Sequence, residues 1–140
     1  EGVQKYDGTN FKSLELKDDK YIVQQFIKEV YEGDKRIIIL NGKPLGAILR
    51  VAKEGSFICN FHSGGKPKPA EITKNDLHIC EEIKDFLIEN DIFFAGIDII
   101  GGKLTEINIT SPTCVQEINR ANNVKLEKNV LDFILNKIND

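Results

Sequence analysis

Alternating and helical spacings of apolar residues divide the chain into short strands and two amphipathic helices. Residues 21–27 (Tyr-Ile-Val-Gln-Gln-Phe-Ile) are rich in β-branched and aromatic types and predict a strand. Residues 36–40 and 45–52 predict two more, folded about Asn41-Gly42, a pair that tolerates the positive φ of a tight hairpin turn. Between 54 and 70, Gly55, Gly64, Gly65, Pro67 and Pro69 predict a mobile loop around a short strand at 56–61. A helix is predicted from 74 to 90. Thr73 caps it, Asp76 completes a capping box, and Leu77, Cys80, Ile83 and Leu87 fall on one face. The strand Ile92–Ile100, a glycine turn and the strand Leu104–Thr110 follow. Val130, Leu131, Ile134, Leu135 and Ile138 mark a closing amphipathic helix. Hairpins outnumber strand–helix–strand units, so the class is α+β, a largely antiparallel sheet flanked by helices.

Composition narrows the setting. At 140 residues and 41% apolar, the chain suits one domain with a modest core. A net charge of −3 gives no general attraction to nucleic acid or an anionic membrane. No apolar stretch approaches the ~20 residues that span a bilayer. Cys59, Cys80 and Cys114 are odd in number and lack zinc-ligand spacing, which predicts reduced thiols acting as apolar fillers in a cytoplasmic protein. The chain contains no methionine, starts at Glu1, and reads as if it opens within a loop. An upstream partner segment is therefore expected.

Candidate chemistry lies where charge meets strand pattern. Of 19 basic residues only Arg36, Arg50 and Arg120 are arginines, the type whose planar fork grips a carboxylate or phosphate with two parallel hydrogen bonds. Arg36 and Arg50 flank the Asn41-Gly42 hairpin, preceded by Gly33-Asp34. A strict two-residue turn pairs 36 with 47 and sends Arg50 to the other face; a bulge, with Gly46 a suitable site, brings both arginines together. Asp98 sits among Phe93, Phe94, Ile97, Ile99 and Ile100, where a bare carboxylate wants a partner. Glu106 and Asn108, two apart on a strand, project from one face. With Asp98 they form an oxygen-only set suited to Mg²⁺, although the same alternation also serves a solvated sheet face. A two-residue turn at Gly101-Gly102 puts Asp98 and Glu106 on opposite faces, whereas a three-residue loop over 101–103 pairs them; both stay open. The loop His62-Ser-Gly64-Gly65-Lys66 offers backbone N–H groups to an anion, or is simply a turn.

These phrases together resemble a known family. Gly33-Asp34-Lys35-Arg36, Asn60 followed by Gly64-Gly65, and above all Gly96-Ile-Asp98-Ile-Ile-Gly101 through Thr105-Glu106-Ile-Asn108-Ile-Thr-Ser111-Pro112-Thr113 are similar to prokaryotic glutathione synthetases of the ATP-grasp superfamily. The similarity runs from about Tyr21 to Ile118 and more loosely to the last helix. It implies the C-terminal part of an ATP-grasp domain, with residues 1–30 a remnant of the small lid subdomain and hinge, and 31–140 the metal- and nucleotide-binding subdomain. By position, the backbone of Gln24, Gln25, Phe26 and Ile27 would read adenine, and Asp34 would lie near the ribose. Arg36 and Arg50 would contact the transferred phosphoryl group. Asp98, Glu106 and Asn108 would hold Mg²⁺, with Mn²⁺ as a substitute. Asn60, Gly64 and Gly65 would belong to a lid, and Ser111, Pro112 and Thr113 would border the substrate.

The reaction implied joins γ-glutamylcysteine to glycine at the expense of ATP through an acyl phosphate, in a cytoplasmic homo-oligomer that meets neither nucleic acid nor membrane. A sister ligase of the ribosomal-protein glutamate ligase type and a non-catalytic nucleotide-binding module are the alternatives. Two departures stand out. Ile58 replaces the arginine that family members carry two residues before the lid asparagine, so Lys53 or Lys66 would have to supply that anion contact. The family's phosphate-clamping lysines, most of its glycine loop and its N-terminal substrate domain lie upstream, and Glu1-Gly2-Val3 reads as the tail of that loop. The chain alone is expected to be inactive, with apolar residues around Phe26, Ile37 and Ile39 left uncovered.

Overall fold

The computed structural model describes residues 3–6, 8 and 22–139. Most of the expected lid remnant, 1–30, therefore lies outside the described residues, as do Tyr21, Glu1 and Gly2. Five antiparallel strands form one sheet: β1 (Asp34–Leu40), β2 (Lys43–Val51), β3 (Lys66–Pro69), β4 (Phe94–Ile100) and β5 (Lys103–Asn108), in the order β3-β2-β1-β4-β5. Among the described residues three α-helices, α1 (Lys74–Glu89), α2 (Val115–Asn122) and α3 (Leu126–Asn139), accompany the sheet. None of them is long and apolar enough to cross a membrane.

The two hairpins at the centre carry the expected turns and an extra feature each. Asn41 and Gly42 sit at φ of 50° and 71°, the primed turn their types permit. The β1–β2 pairing then slips: Ile39 faces Pro44 but Ile38 faces Gly46, so Leu45 is bulged out and Arg36 comes to face Ile48. The expected bulge is present at the expected glycine. In the second hairpin, Gly101 and Gly102 make a two-residue turn, with Ile100 facing Lys103. Thr105 is then bulged out between Leu104 and Glu106, so Asp98 faces Glu106. Neither sequence alternative described this combination of a short turn with a bulge. The Thr105 hydroxyl donates to the Asp98 carbonyl at 3.1 Å and fastens the bulge.

Each face of the sheet has its own core. Ile37, Ile39, Ala47, Ala95, Ile97 and Ile99 pack under Ile79, Cys80 and Leu87 of α1, so Ile37 and Ile39 are fully covered rather than left open. Thr73 and Asp76 form the expected capping box, and Lys35 Nζ reaches Asp76 at 2.6 Å, tying the start of α1 to the sheet. Leu77 departs from the expected face. It is 49% exposed, because the buried stripe of α1 runs through Asp76, Ile79, Cys80 and Leu87. On the opposite face Ile38 and Ile48 meet Cys114, Ile118 and Leu126, so α2 and the start of α3 cover half of it.

Three other expectations change. Residues 22–27 pair with no strand and lead into a 3₁₀ turn at Lys28–Tyr31; Ile22 and Val23 stand exposed, and β-branched types make a strand only against a partner. The short strand falls at 66–69 rather than 56–61. Pro67 and Pro69 limit it to pairing on one side, which suits the edge of a sheet. Helix α2 was not anticipated. Its eight residues hold few apolar side chains, and Ile118 alone is fully buried.

Candidate active site

Register decides which side chains share a face. Asp34 faces Arg50, Arg36 faces both Ile48 and Asp98, Asp98 faces Glu106, and Gly96 faces Asn108. All of these point to the face that α2 covers only in part. Without the two bulges, Arg50 and Glu106 would lie on the other side, under α1.

Four charges meet at the centre of this face. Arg36 grips Asp98 side-on, Nε to Oδ1 at 2.5 Å and Nη2 to Oδ2 at 2.9 Å, the bidentate geometry of a guanidinium–carboxylate pair. Arg50 places Nη2 between two carboxylates, bonding Asp34 Oδ2 and lying 2.8 Å from Asp98 Oδ2. Arg36, Arg50 and Asp98 are 4–5% exposed. Charges so deep are tolerable only because two anions balance two cations. Three polar atoms remain buried without a partner: Arg36 Nη1, Arg50 Nε and Asp34 Oδ1. Burial first, and then the like charge of Asp98, push the Asp34 carboxyl up to about 6, against the opposing pull of Arg50.

Smaller residues shape the cluster. A side chain on Gly96 would meet Pro112 Cβ at 2.9 Å and Arg36 Cδ at 3.2 Å, so the bare glycine is what lets the guanidinium lie on β4 with Pro112 above it. Sequence reasoning quoted Gly96 in a motif without giving it this task; a glycine inside a strand beside a buried charge was the available signal. Cys114 was missed as well. It holds a φ of 88° at the start of α2, and its buried thiol feels both arginines. Nothing in composition pointed to it.

The remaining predicted residues fall around this centre. Glu106 is exposed and makes no ion pair or hydrogen bond among the described residues, while Asn108 Oδ1 accepts from Ser111 N at 3.2 Å. Ser111 and Thr113 are exposed beside Pro112. Gln24 and Gln25 are exposed, Phe26 and Ile27 half-buried; Phe26 makes edge contacts with Tyr31 and Phe57. Asn60 caps a 3₁₀ turn through Ser63 N at 2.8 Å, Gly64 ends it at φ 87°, and Gly65 N returns to Asn60 O at 3.1 Å. The three make a local turn beside Cys59, whose thiol feels Asp34 and Arg50. Arg120 bonds only Gln116 on its own helix and is a surface residue.

Among the described residues, no three His, Cys, Asp or Glu side chains gather to hold a metal by themselves. Asp98, Glu106 and the amide oxygen of Asn108 still fit a hard cation that takes its other ligands from phosphates and water. Glu106 is free, Asn108 Oδ1 has a second lone pair, and Asp98 keeps one lone pair on Oδ1 outside its three guanidinium contacts.

The family profile of the prokaryotic glutathione synthetase ATP-grasp domain matches residues 10–123. The chain belongs to this family. This glutathione synthetase-family chain is 44% identical over 126 residues to the glutathione synthetase of Prochlorococcus marinus (strain MIT 9313), covering 87% of the chain and 41% of the relative. It is 47% identical over 105 residues to that of Synechococcus elongatus, covering 75% and 32%. Against that of Agrobacterium fabrum it is 42% identical over 119 residues, covering 81% and 37%. It thus spans about two-fifths or less of these relatives. A solved ATP-grasp ligase, PsnB complexed with minimal precursor, has a TM-score of 0.48 at 17% identity, over 71% of this chain and 31% of that one.

Proposed function

We propose that this chain is the metal- and nucleotide-binding part of an ATP-dependent ligase that joins γ-glutamylcysteine to glycine. The observation that carries the reading is the balanced Arg36–Arg50–Asp34–Asp98 cluster beside the free carboxylate of Glu106, in a chain of the glutathione synthetase family. Residues 31–140 form the binding subdomain and 1–30 the lid remnant and hinge. The whole enzyme is a cytoplasmic homo-oligomer.

In the reaction a carboxylate oxygen of the dipeptide attacks the γ-phosphorus of ATP and ADP departs. The glycine amine then displaces phosphate from the acyl phosphate. Such chemistry needs dispersed charge neutralisation more than covalent help from side chains. Arg36 and Arg50 would supply it; Arg36 Nη1 and Arg50 Nε are buried donors without a partner among the described residues. Asp98, Glu106 and Asn108 would hold Mg²⁺, or Mn²⁺ in its place, which would offset phosphate charge. Gln24, Gln25, Phe26 and Ile27 line the adenine, with Phe26 held by Phe57 and Tyr31. Asp34 lies near the ribose. The turn of Asn60, Gly64 and Gly65 serves the lid, which keeps water from the acyl phosphate. Ser111, Pro112 and Thr113 border the dipeptide.

A chimera tests this. This chain would replace the matching segment of the Prochlorococcus glutathione synthetase, and phosphate release from ATP would be followed. Release that requires both γ-glutamylcysteine and glycine, and that falls by orders of magnitude in Glu106→Gln, is expected. A folded chimera that releases phosphate equally without either substrate, or only with a different acceptor, overturns the reading.

A further inference from the structure

We infer that Asp98 is a positioning residue for Arg36 and Arg50, organising both guanidinium groups before any metal or nucleotide arrives. The inference deepens the ligase reading, and it rests on geometry that reading does not need. Each arginine has N–H groups in several directions, and which of them can meet an anion depends on which are already engaged. Asp98 takes Arg36 Nε and Nη2 in a fork and shares Arg50 Nη2 with Asp34. Gly96, which has no room for a side chain between Arg36 and Pro112, lets the Arg36 group lie close against β4. The N–H groups left over, Arg36 Nη1 and Arg50 Nε, are both buried and unpartnered.

A carboxylate serving as a metal ligand alone would gain nothing from such contacts. Three of its four lone-pair directions go to guanidinium nitrogens instead. Glu106, which faces Asp98 across β4 and β5, touches neither arginine among the described residues. The two acidic residues therefore divide the work. Asp98 holds the cations of the protein in place with three lone pairs and keeps one for an incoming cation, whereas Glu106 stays wholly free for it.

The chain offers a direct readout, because it has only three arginines. Its ¹⁵N spectrum, recorded with chelator and without nucleotide, contains three guanidinium Nε–H signals. In the wild type the Arg36 Nε–H should exchange with water about tenfold or more slowly than that of exposed Arg120, as a charge-assisted buried hydrogen bond requires. Asp98→Asn should shift the Arg36 and Arg50 signals and remove that protection while most backbone amide signals stay in place. Glu106→Gln should leave both unchanged. Equal exchange of all three signals in the wild type would overturn the inference, and this measurement holds even if Asp98→Asn fails to fold. So would a folded Asp98→Asn variant with unshifted arginine signals. The sample carries no metal, nucleotide or substrate, so failure here is separate from failure of the ligase reading.

Discussion

Replacing Gly96 by alanine tests how tightly the site is built. The φ of Gly96 lies outside the left-handed region, so alanine meets no backbone strain there. On open ground the change would stabilise by about 0.4–1 kcal/mol, because it restricts the unfolded chain. Here the new methyl carbon would lie 2.9 Å from Pro112 Cβ, 3.2 Å from Arg36 Cδ and 3.3 Å from Arg36 Nη1. Proline has no rotamer to turn aside, and Arg36 can retreat only by giving up part of its fork on Asp98. Overpacking of this kind costs about 1–3 kcal/mol. The steric cost outweighs the entropic gain, for a net loss of about 1–2 kcal/mol. Equilibrium unfolding in urea measures it. With a slope of about 2 kcal/mol per molar, the midpoint should fall by roughly 0.5–1 M. A midpoint equal to or above that of the wild type, at unchanged slope, would refute the packing argument.

Asp34 predicts a pH effect with a definite sign. Its carboxyl rises from 3.8 to about 6 on folding, so the folded chain binds the extra proton and stability falls as pH rises between those values. The stability of Asp34→Asn relative to wild type should therefore increase with pH across that window in denaturant titrations; a flat or falling difference would count against it. Leu87 of α1 is fully buried against the sheet, and Leu87→Ala should cost about 2–5 kcal/mol in the same assay. A loss below about 1 kcal/mol would show that the helix does not seal this face.

Sequence carried much of this arrangement but not its parity. The helix at α1 was legible down to Thr73 and Asp76, because a capping box is a local hydrogen-bonded unit. The Asn41-Gly42 turn was legible for the same reason. Whether Asp98 meets Glu106 was not, since it depends on Thr105 leaving the ladder three residues beyond the turn. Residues 22–27 show the opposite failure: their composition is that of a strand, but pairing is decided by neighbours rather than by the segment. The arginines stood out by rarity in a lysine-rich chain. Their contacts could not be read, because the fork on Asp98 joins residues 62 positions apart.

The two bulged residues give the hairpins an arithmetic that ordinary surface loops lack. Turns usually accept the gain or loss of a residue, since the strands beyond them can slide. Between Arg36 and Arg50, and between Asp98 and Glu106, the count of residues works like a reading frame. Removing Leu45, the extra residue, restores a regular ladder and leaves Arg50 opposite Asp34, whereas drawing Leu45 into the ladder carries Arg50 through the sheet to the α1 side. Removing Thr105 likewise leaves Glu106 opposite Asp98, and drawing it into the ladder sends Glu106 to the other face. Single-residue insertions in these spans should therefore be far more damaging than most substitutions, whereas loss of the bulged residue itself, or paired changes that keep the frame, should be tolerated. Natural or engineered length variation in these two hairpins is expected to remove the bulged residue or to come in twos.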